Sequence, residues 1–218
     1  MTAETTTERT RRPEGPVERC PTCDAELPAG FRFCGLCGRA LAATLAPVPG
    51  DTLTIVFVDV VGFSAFASRA GLDAVREVIR VFHWLVREQV TRHGGFEVKQ
   101  LGDGFMLAFS SPRRALVCAV DVIRVTTPHE DGTGLPAEVR VCAGMNSGNA
   151  IREGDDFFGH TVNVASRIAA RASGGQVLVS KATRDLAGEI EGTRYVSAGR
   201  RRLRGIRGRH QLYEVVWG

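Results

Sequence analysis

No apolar run in this 218-residue chain approaches the roughly 18 residues needed to cross a bilayer, which argues against a membrane-spanning protein. The first nineteen residues, MTAETTTERTRRPEGPVER, have no apolar core, so they do not read as a secretory signal. A strong charge of one sign is also missing. Lys and Arg number 28 against 24 Asp and Glu, a mild net charge of +4, and nucleic acid is not the expected partner. Cysteine is scarce, six in all, and four of the six fall into one metal-type pattern that a reducing compartment permits. A cytoplasmic protein is expected. What is present, 44% hydrophobic and 24% charged residues, suits one ordinary globular domain with a small appendage.

Residues 1–18 are rich in Thr, Glu, Arg and Pro and have almost nothing to bury, so they read as a disordered tail. Residues 19–41 hold Cys20, Cys23, Cys34 and Cys37 as C-x2-C-x10-C-x2-C. Two CxxC knuckles bring four thiolates to one tetrahedral zinc ion, with Gly35 and Gly38 easing the second turn. The alternative is a redox or disulfide pair. Four thiolates leave no open coordination position, so this zinc is structural. It would supply most of the folding energy of so small a module. Residues 42–51, with Pro47 and Pro49, form a linker.

The main domain covers residues 52–218. Thr52–Val60 is β-branched and apolar, hence a buried strand. Leu72–Arg92 carries apolar residues at helical spacing and stops at Gly94-Gly95. Phe96–Gln100 and Phe105–Phe109 flank Gly102-Asp103-Gly104 and predict a hairpin with Asp103 at its turn. Pro112 to about Thr126 is a second helix with Ser110-Ser111 as cap candidates. Val139–Asn146 is a strand, Phe158–Ala172 a third helix, Gln176–Ser180 a strand and Lys181–Leu186 a short helix. Tyr195–Leu203 and Gln211–Val216 close the chain as strands. The order β-α-β-β-α-β with C-terminal additions is an α+β, ferredoxin-like core.

Six polar residues in three stretches describe a nucleotide site. Asp59 ends a buried strand in TIVFVDVVGFSAF, and Asp103 sits in the neighbouring hairpin turn. Two such carboxylates can hold one or two magnesium or manganese ions, although each alone is more often a turn or cap residue. The turn after Asp59, with Val60, Gly62 and Phe63, offers backbone N–H groups to phosphate. Lys99 can only donate and an ionised Asp156 can only accept, which complements adenine's ring acceptor and amino donor. Asn163 and Arg167, four apart, share one helix face, and Arg167 offers a fixed fork to phosphate oxygens. The basic segment GRRRLRGIRGRH is either a solvated loop or an anion-facing edge for polyphosphate or nucleic acid.

VFVDVVGFSAF, VKQLGDGFMLAF and DDFFGHTVNVASR together resemble the catalytic domain of class III adenylyl and guanylyl cyclases, bacterial members of mycobacterial type above all. The resemblance runs from about Leu53 to Val216 in the family's order. It implies two metal ions on Asp59 and Asp103, adenine contacts from Lys99 and Asp156, ribose orientation by Asn163 and charge stabilisation by Arg167. Arg207 falls where the family has a basic residue on the outer phosphates. The reaction implied is ATP to 3′,5′-cyclic AMP and pyrophosphate. The family divides these roles between two catalytic domains, so a single such domain implies a head-to-tail homodimer with two shared sites. Asn146 stands where many members have a histidine, outside the six roles. His160 reads as a helix-start surface residue, and Cys118 and Cys142 as packing residues.

Three other readings stand beside it. The chain could be a catalytically silent, nucleotide-responsive scaffold whose zinc ribbon binds a protein or nucleic acid, although the metal, base and arginine positions are intact. Guanylyl cyclase is disfavoured by Lys99 and Asp156, and diguanylate cyclase by a hairpin that reads LGDG. The zinc ribbon has no catalytic residue of its own and is expected to regulate the dimer or dock a protein partner.

Overall fold

The computed structural model describes residues 17–20, 23–28, 34, 36, 41, 52–128, 134–136 and 139–218. The expectations for the tail before Val17, for Cys37 and for the linker fall outside these residues. A first hairpin pairs β1 (Val17–Arg19) with β2 (Glu26–Pro28), so β1 begins inside the stretch expected as tail. Between them Asp24 adopts a left-handed conformation (φ 56), and its N–H donates to the Cys20 carbonyl at 2.9 Å. Cys20, Leu27 and Cys34 are buried together with Ala25 and Leu41 packed against them.

The main domain runs β3 (Leu53–Val61), α1 (Phe63–Ala67), α2 (Leu72–Arg92), β4 (Phe96–Leu101), β5 (Gly104–Phe109), α3 (Pro112–Thr126) and β6 (Arg140–Gly148). It continues with β7 (Ile151–Glu153), β8 (Asp156–Phe158), α4 (His160–Ala169), β9 (Val177–Ser180), α5 (Lys181–Ala187), β10 (Thr193–Arg201) and β11 (His210–Trp217). Seven strands form one sheet in the order β10-β11-β9-β6-β3-β5-β4. Its β6-β3-β5-β4 half is antiparallel throughout and is the expected ferredoxin-like core. β9 joins parallel to β6, and β11 and β10 extend that edge.

The two faces follow from strand alternation. Val56, Val58 and Val60 of β3, with Phe105, Leu107 and Phe109 of β5, pack into one core with Phe82, Val86 and Val90 of α2 and Leu116 and Ala119 of α3. Each fully buried large side chain there contributes roughly 1.5–3 kcal/mol. Leu53, Ile55, Met106 and Ala108 face the other way, onto Phe157 and Ala165. α4 is the helix on this second face, where Val164 and Ile168 also pack with Leu178 of β9 and Leu212 of β11. The contact is close: a β-carbon at Gly144 of β6 would lie 2.1 Å from the Ala169 nitrogen. Helix backbone therefore rests on strand backbone.

α4 is shorter than the expected 158–172. Gly159 (φ 114) breaks the chain between β8 and α4 in a conformation that side chains resist, and Asp156–Phe158 pair with β7 instead. Among the described residues no helix is long and apolar enough to cross a membrane.

Candidate active site

Asp59 belongs to the odd-numbered set of β3 and lies on the α4 side, across from Gly104 of β5 and Cys142 of β6. A β-carbon at Gly104 would stand 3.0 Å from Asp59 Oδ1, so the glycine leaves room for the carboxylate. Asp103 precedes that glycine in the two-residue turn, where Gly102 takes φ 61. The two carboxylates interact. Partial burial, the charge of Asp103 and, in opposition, the Val60 N–H bond together raise the Asp59 pKa above the ordinary carboxylate range. Among the described residues neither carboxylate forms an ion pair with a basic side chain. Two neighbouring carboxylates without a cationic partner suit a hard divalent cation.

Lys99 and Asp156 meet directly, Nζ to Oδ2 at 2.5 Å. They come from β4 and β8 and are both about two-fifths exposed. Asp156 Oδ1 also accepts from the Phe157 N–H at 2.8 Å. The Lys99 bond holds the Asp156 pKa below the ordinary range, with the Phe157 bond helping against desolvation. A donor and an ionised acceptor thus stand side by side on the α4 face.

Asn163 and Arg167 lie on the exposed side of α4, opposite buried Val164, Ala165 and Ile168. Asn146 Nδ2 donates to the Thr161 carbonyl at 3.2 Å, and Thr161 Oγ1 to the Asn149 carbonyl at 2.6 Å, which pins the first turn of this helix. Two arginine side chains, one on α4 and one in the turn just past its end, reach the segment between β10 and β11. Arg167 Nε donates to the Arg204 carbonyl at 3.1 Å and Arg171 Nη2 to the Arg202 carbonyl at 2.6 Å. Arg171, Arg202, Arg204 and Arg207 line a cup of about 630 Å³ there.

The remaining expected residues take varied places. Val60 is buried in the α2-side core, and its N–H is bonded to Asp59 Oδ1 at 3.1 Å rather than open. Gly62 (φ 84) caps α1, which Phe63 begins. His160 is exposed at the start of α4. Cys118 and Cys142 are buried, and burial raises both thiol pKa values, that of Cys142 to about 12 with help from Asp59. No hydrogen bond or ion pair among the described residues joins Asp59 or Asp103 to Lys99, Asp156, Asn163 or Arg167. The sequence reading missed Gly104, Thr161 and Arg171. It also missed the β7–β8 hairpin, for which Glu153-Gly154-Asp155-Asp156 was a usable turn signal.

In the N-terminal module the sulfur atoms of Cys20, Cys23 and Cys34 lie within 4.8 Å of one another, Cys23 and Cys34 at 3.5 Å. Three converging thiols are a donor set suited to zinc.

Residues 46–216 match the family model described as the adenylate and guanylate cyclase catalytic domain. The chain is 33% identical over 176 residues to a pH-sensitive adenylate cyclase of Mycobacterium tuberculosis, a match covering 79% of this chain and 43% of that protein. An adenylate cyclase of Lachancea kluyveri is 32% identical over 165 residues, covering 65% of this chain and 9% of that one. The chain therefore spans less than half the length of either relative. Among solved structures, an adenylate cyclase from Trypanosoma brucei in its monomeric state superposes with a TM-score of 0.68 at 25% identity, covering 78% of this chain and 90% of that one.

Proposed function

The chain belongs to the adenylate and guanylate cyclase catalytic-domain family, and from that premise we propose that it is an adenylate cyclase working as a cytoplasmic head-to-tail homodimer. The observation that carries this reading is the Lys99–Asp156 contact at 2.5 Å on the sheet face that also presents Asp59. The ammonium donates to adenine's ring nitrogen, and the carboxylate accepts from its amino group. Guanine offers a ring N–H and a carbonyl in the reverse arrangement and would leave both groups unpaired, at about 1–3 kcal/mol for each one that the bound base desolvates.

In the reaction the ribose 3′-oxygen bonds to the α-phosphorus, the bond from that phosphorus to the bridging oxygen breaks, and pyrophosphate leaves. The 3′-hydroxyl proton passes to solvent. Asp59 and Asp103 would hold two magnesium or manganese ions per site, whose charge would favour the ionised 3′-oxygen and offset phosphate charge. Asn163 orients the ribose. Arg167 stabilises the charge that builds on the transferring phosphate. The N–H groups of Gly62 and Phe63 and the side chain of Arg207 face the outer phosphates.

Two protomers supply each site, one giving Asp59 and Asp103 and its partner the other four side chains. Cys20, Cys23 and Cys34, completed by Cys37, hold a structural zinc in a ribbon that regulates the dimer or docks a protein.

The test is cyclic nucleotide formation by the purified chain with Mn2+ or Mg2+, offered ATP and GTP separately. Cyclic AMP from ATP alone, abolished by Asp59→Ala, is the expected result. Silence from a dimeric, zinc-loaded sample would overturn it.

A further inference from the structure

Behind the sheet, on the face opposite α4, lies a buried ion pair that the chemistry above does not use. Arg87 of α2 is 2% exposed. Its Nε and Nη2 donate to the two carboxylate oxygens of Glu97, each at 2.8 Å, and Nη2 reaches Gln100 Oε1 at 3.3 Å. The guanidinium carbon stands 5.1 Å from the centroid of the Phe105 ring. Burying such a pair repays its desolvation poorly, so stability alone is a weak account of it.

Glu97 and Lys99 are two apart on β4 and in a regular strand would share a face. They face opposite ways. Glu97 is opposite Leu107, whose side chain belongs to the α2-side core, and bonds to Arg87. Lys99 is opposite Met106, on the α4 side, and bonds to Asp156. The register shifts between them, leaving Val98 as the extra residue of a bulge, packed on the α4 side. A bulge re-aims the residues after it. Without it, continuing the Glu97–Leu107 register would set Lys99 across from Phe105, beneath Arg87. Two cations would then crowd one carboxylate, and Asp156 would lose its partner. β4 is an edge strand, held in register from one side only, so it needs such a device.

We propose that Arg87 is a positioning residue: by clamping Glu97 behind the sheet it fixes the bulge at Val98 and so aims Lys99 at Asp156. Its consequence for nucleotide binding rests on the reading of Lys99 and Asp156 given above, whereas the aiming itself does not.

The experiment uses the full chain carrying Arg87→Met together with Glu97→Leu, which removes both charges and roughly keeps the volume. Lys99→Met is the control. Carboxylate-detected NMR follows the titration of Asp156, which in the parent lies below the ordinary range because Lys99 donates to it. In the double variant Asp156 is expected to rise to where it titrates in Lys99→Met. Affinity for a fluorescent ATP analogue should fall about tenfold, as for the loss of one charge-assisted hydrogen bond. A folded double variant whose Asp156 titrates as in the parent overturns the proposal. If the double variant unfolds, Glu97→Gln, which weakens the clamp and keeps its shape, should shift Asp156 part of the way, and no shift overturns the proposal equally. If Asp156 shifts while nucleotide affinity is unchanged in both variant and control, the aiming stands and the base-reading role of Lys99 fails.

Discussion

Asp59 Oδ1 stands 3.0 Å from the point that a β-carbon on Gly104 would occupy, and the Val58 carbonyl 2.7 Å from it. A carboxylate and a strand backbone thus share the space that one missing methyl leaves open. Gly104→Ala is expected to cost about 1–3 kcal/mol of stability, the usual scale of overpacking. It should also weaken manganese binding by about tenfold or more, as when the support of a metal ligand is disturbed. Denaturant unfolding and titration of free Mn2+ by electron paramagnetic resonance measure the two effects.

With Asp59 as the proposed metal ligand, its raised pKa should set the pH dependence of metal binding. The metal needs the ionised carboxylate, so affinity is full above the raised pKa and falls as pH drops through it, by at most about tenfold per pH unit for one proton. Saturating metal moves that acid limb to lower pH. In metal-free protein Asp103→Asn should lower the Asp59 pKa without restoring the ordinary value, because burial, the larger cause, remains. An NMR titration of Asp59 in the two proteins decides it.

His83 of α2 is 6% exposed, and its Nε2 has no partner among the described residues. Burial, with the neighbouring charge of Arg87, lowers its pKa from 6.5 to about 4. The folded state therefore holds it neutral while the unfolded chain takes a proton below pH 6.5. Its contribution is full above pH 6.5 and is lost as pH falls towards about 4, a loss of roughly 3 kcal/mol when complete. His83→Leu should remove that part of the acid sensitivity. Comparing urea midpoints at pH 7.5 and 4.5 in parent and variant isolates it.

The proposed sharing of sites would make two inactive variants complementary. Asp59→Ala and Lys99→Ala chains are each expected to be inactive alone. After subunit exchange half the dimers are mixed and one of their two sites is whole, which restores roughly a quarter of parental activity. Inactivity in a mixture shown to exchange would count against the shared arrangement.

The N-terminal thiols should bind about one zinc ion per chain, and cobalt in its place should give thiolate charge-transfer absorbance. Cys34→Ser is expected to abolish that absorbance and to leave the unfolding of the main domain unchanged.

Much of this was legible in the sequence, where local chemistry decides. α2 and α3 run from Leu72 to Arg92 and from Pro112 to Thr126 as expected, because Gly94 (φ 67) stops one and Ser111 caps the other at the Arg114 N–H. The hairpin at Gly102-Asp103 was written in its turn residues. β7 and β8 were not found, since three residues are too few for alternation to show. The bulge was hidden for a different reason. Phe96 and Val98 alternate with polar Glu97 and Lys99 much as in a regular strand. What breaks the alternation is Arg87 on one side of the sheet and Asp156, fifty-seven residues further along, on the other. The need for glycine at 104 depends likewise on Asp59, from a strand distant in sequence.

The backbone contact between Gly144 and Ala169 has a mechanical consequence. Most helices ride on sheets over a cushion of side chains whose rotamers can absorb a push. Beneath the end of α4 there is no such cushion, so a shove on β6 passes to the helix undamped, as through a rigid shaft. Asn163 and Arg167 ride on that shaft, and with Arg167 and Arg171 gripping the carbonyls of Arg204 and Arg202, the basic segment after β10 is carried along with it.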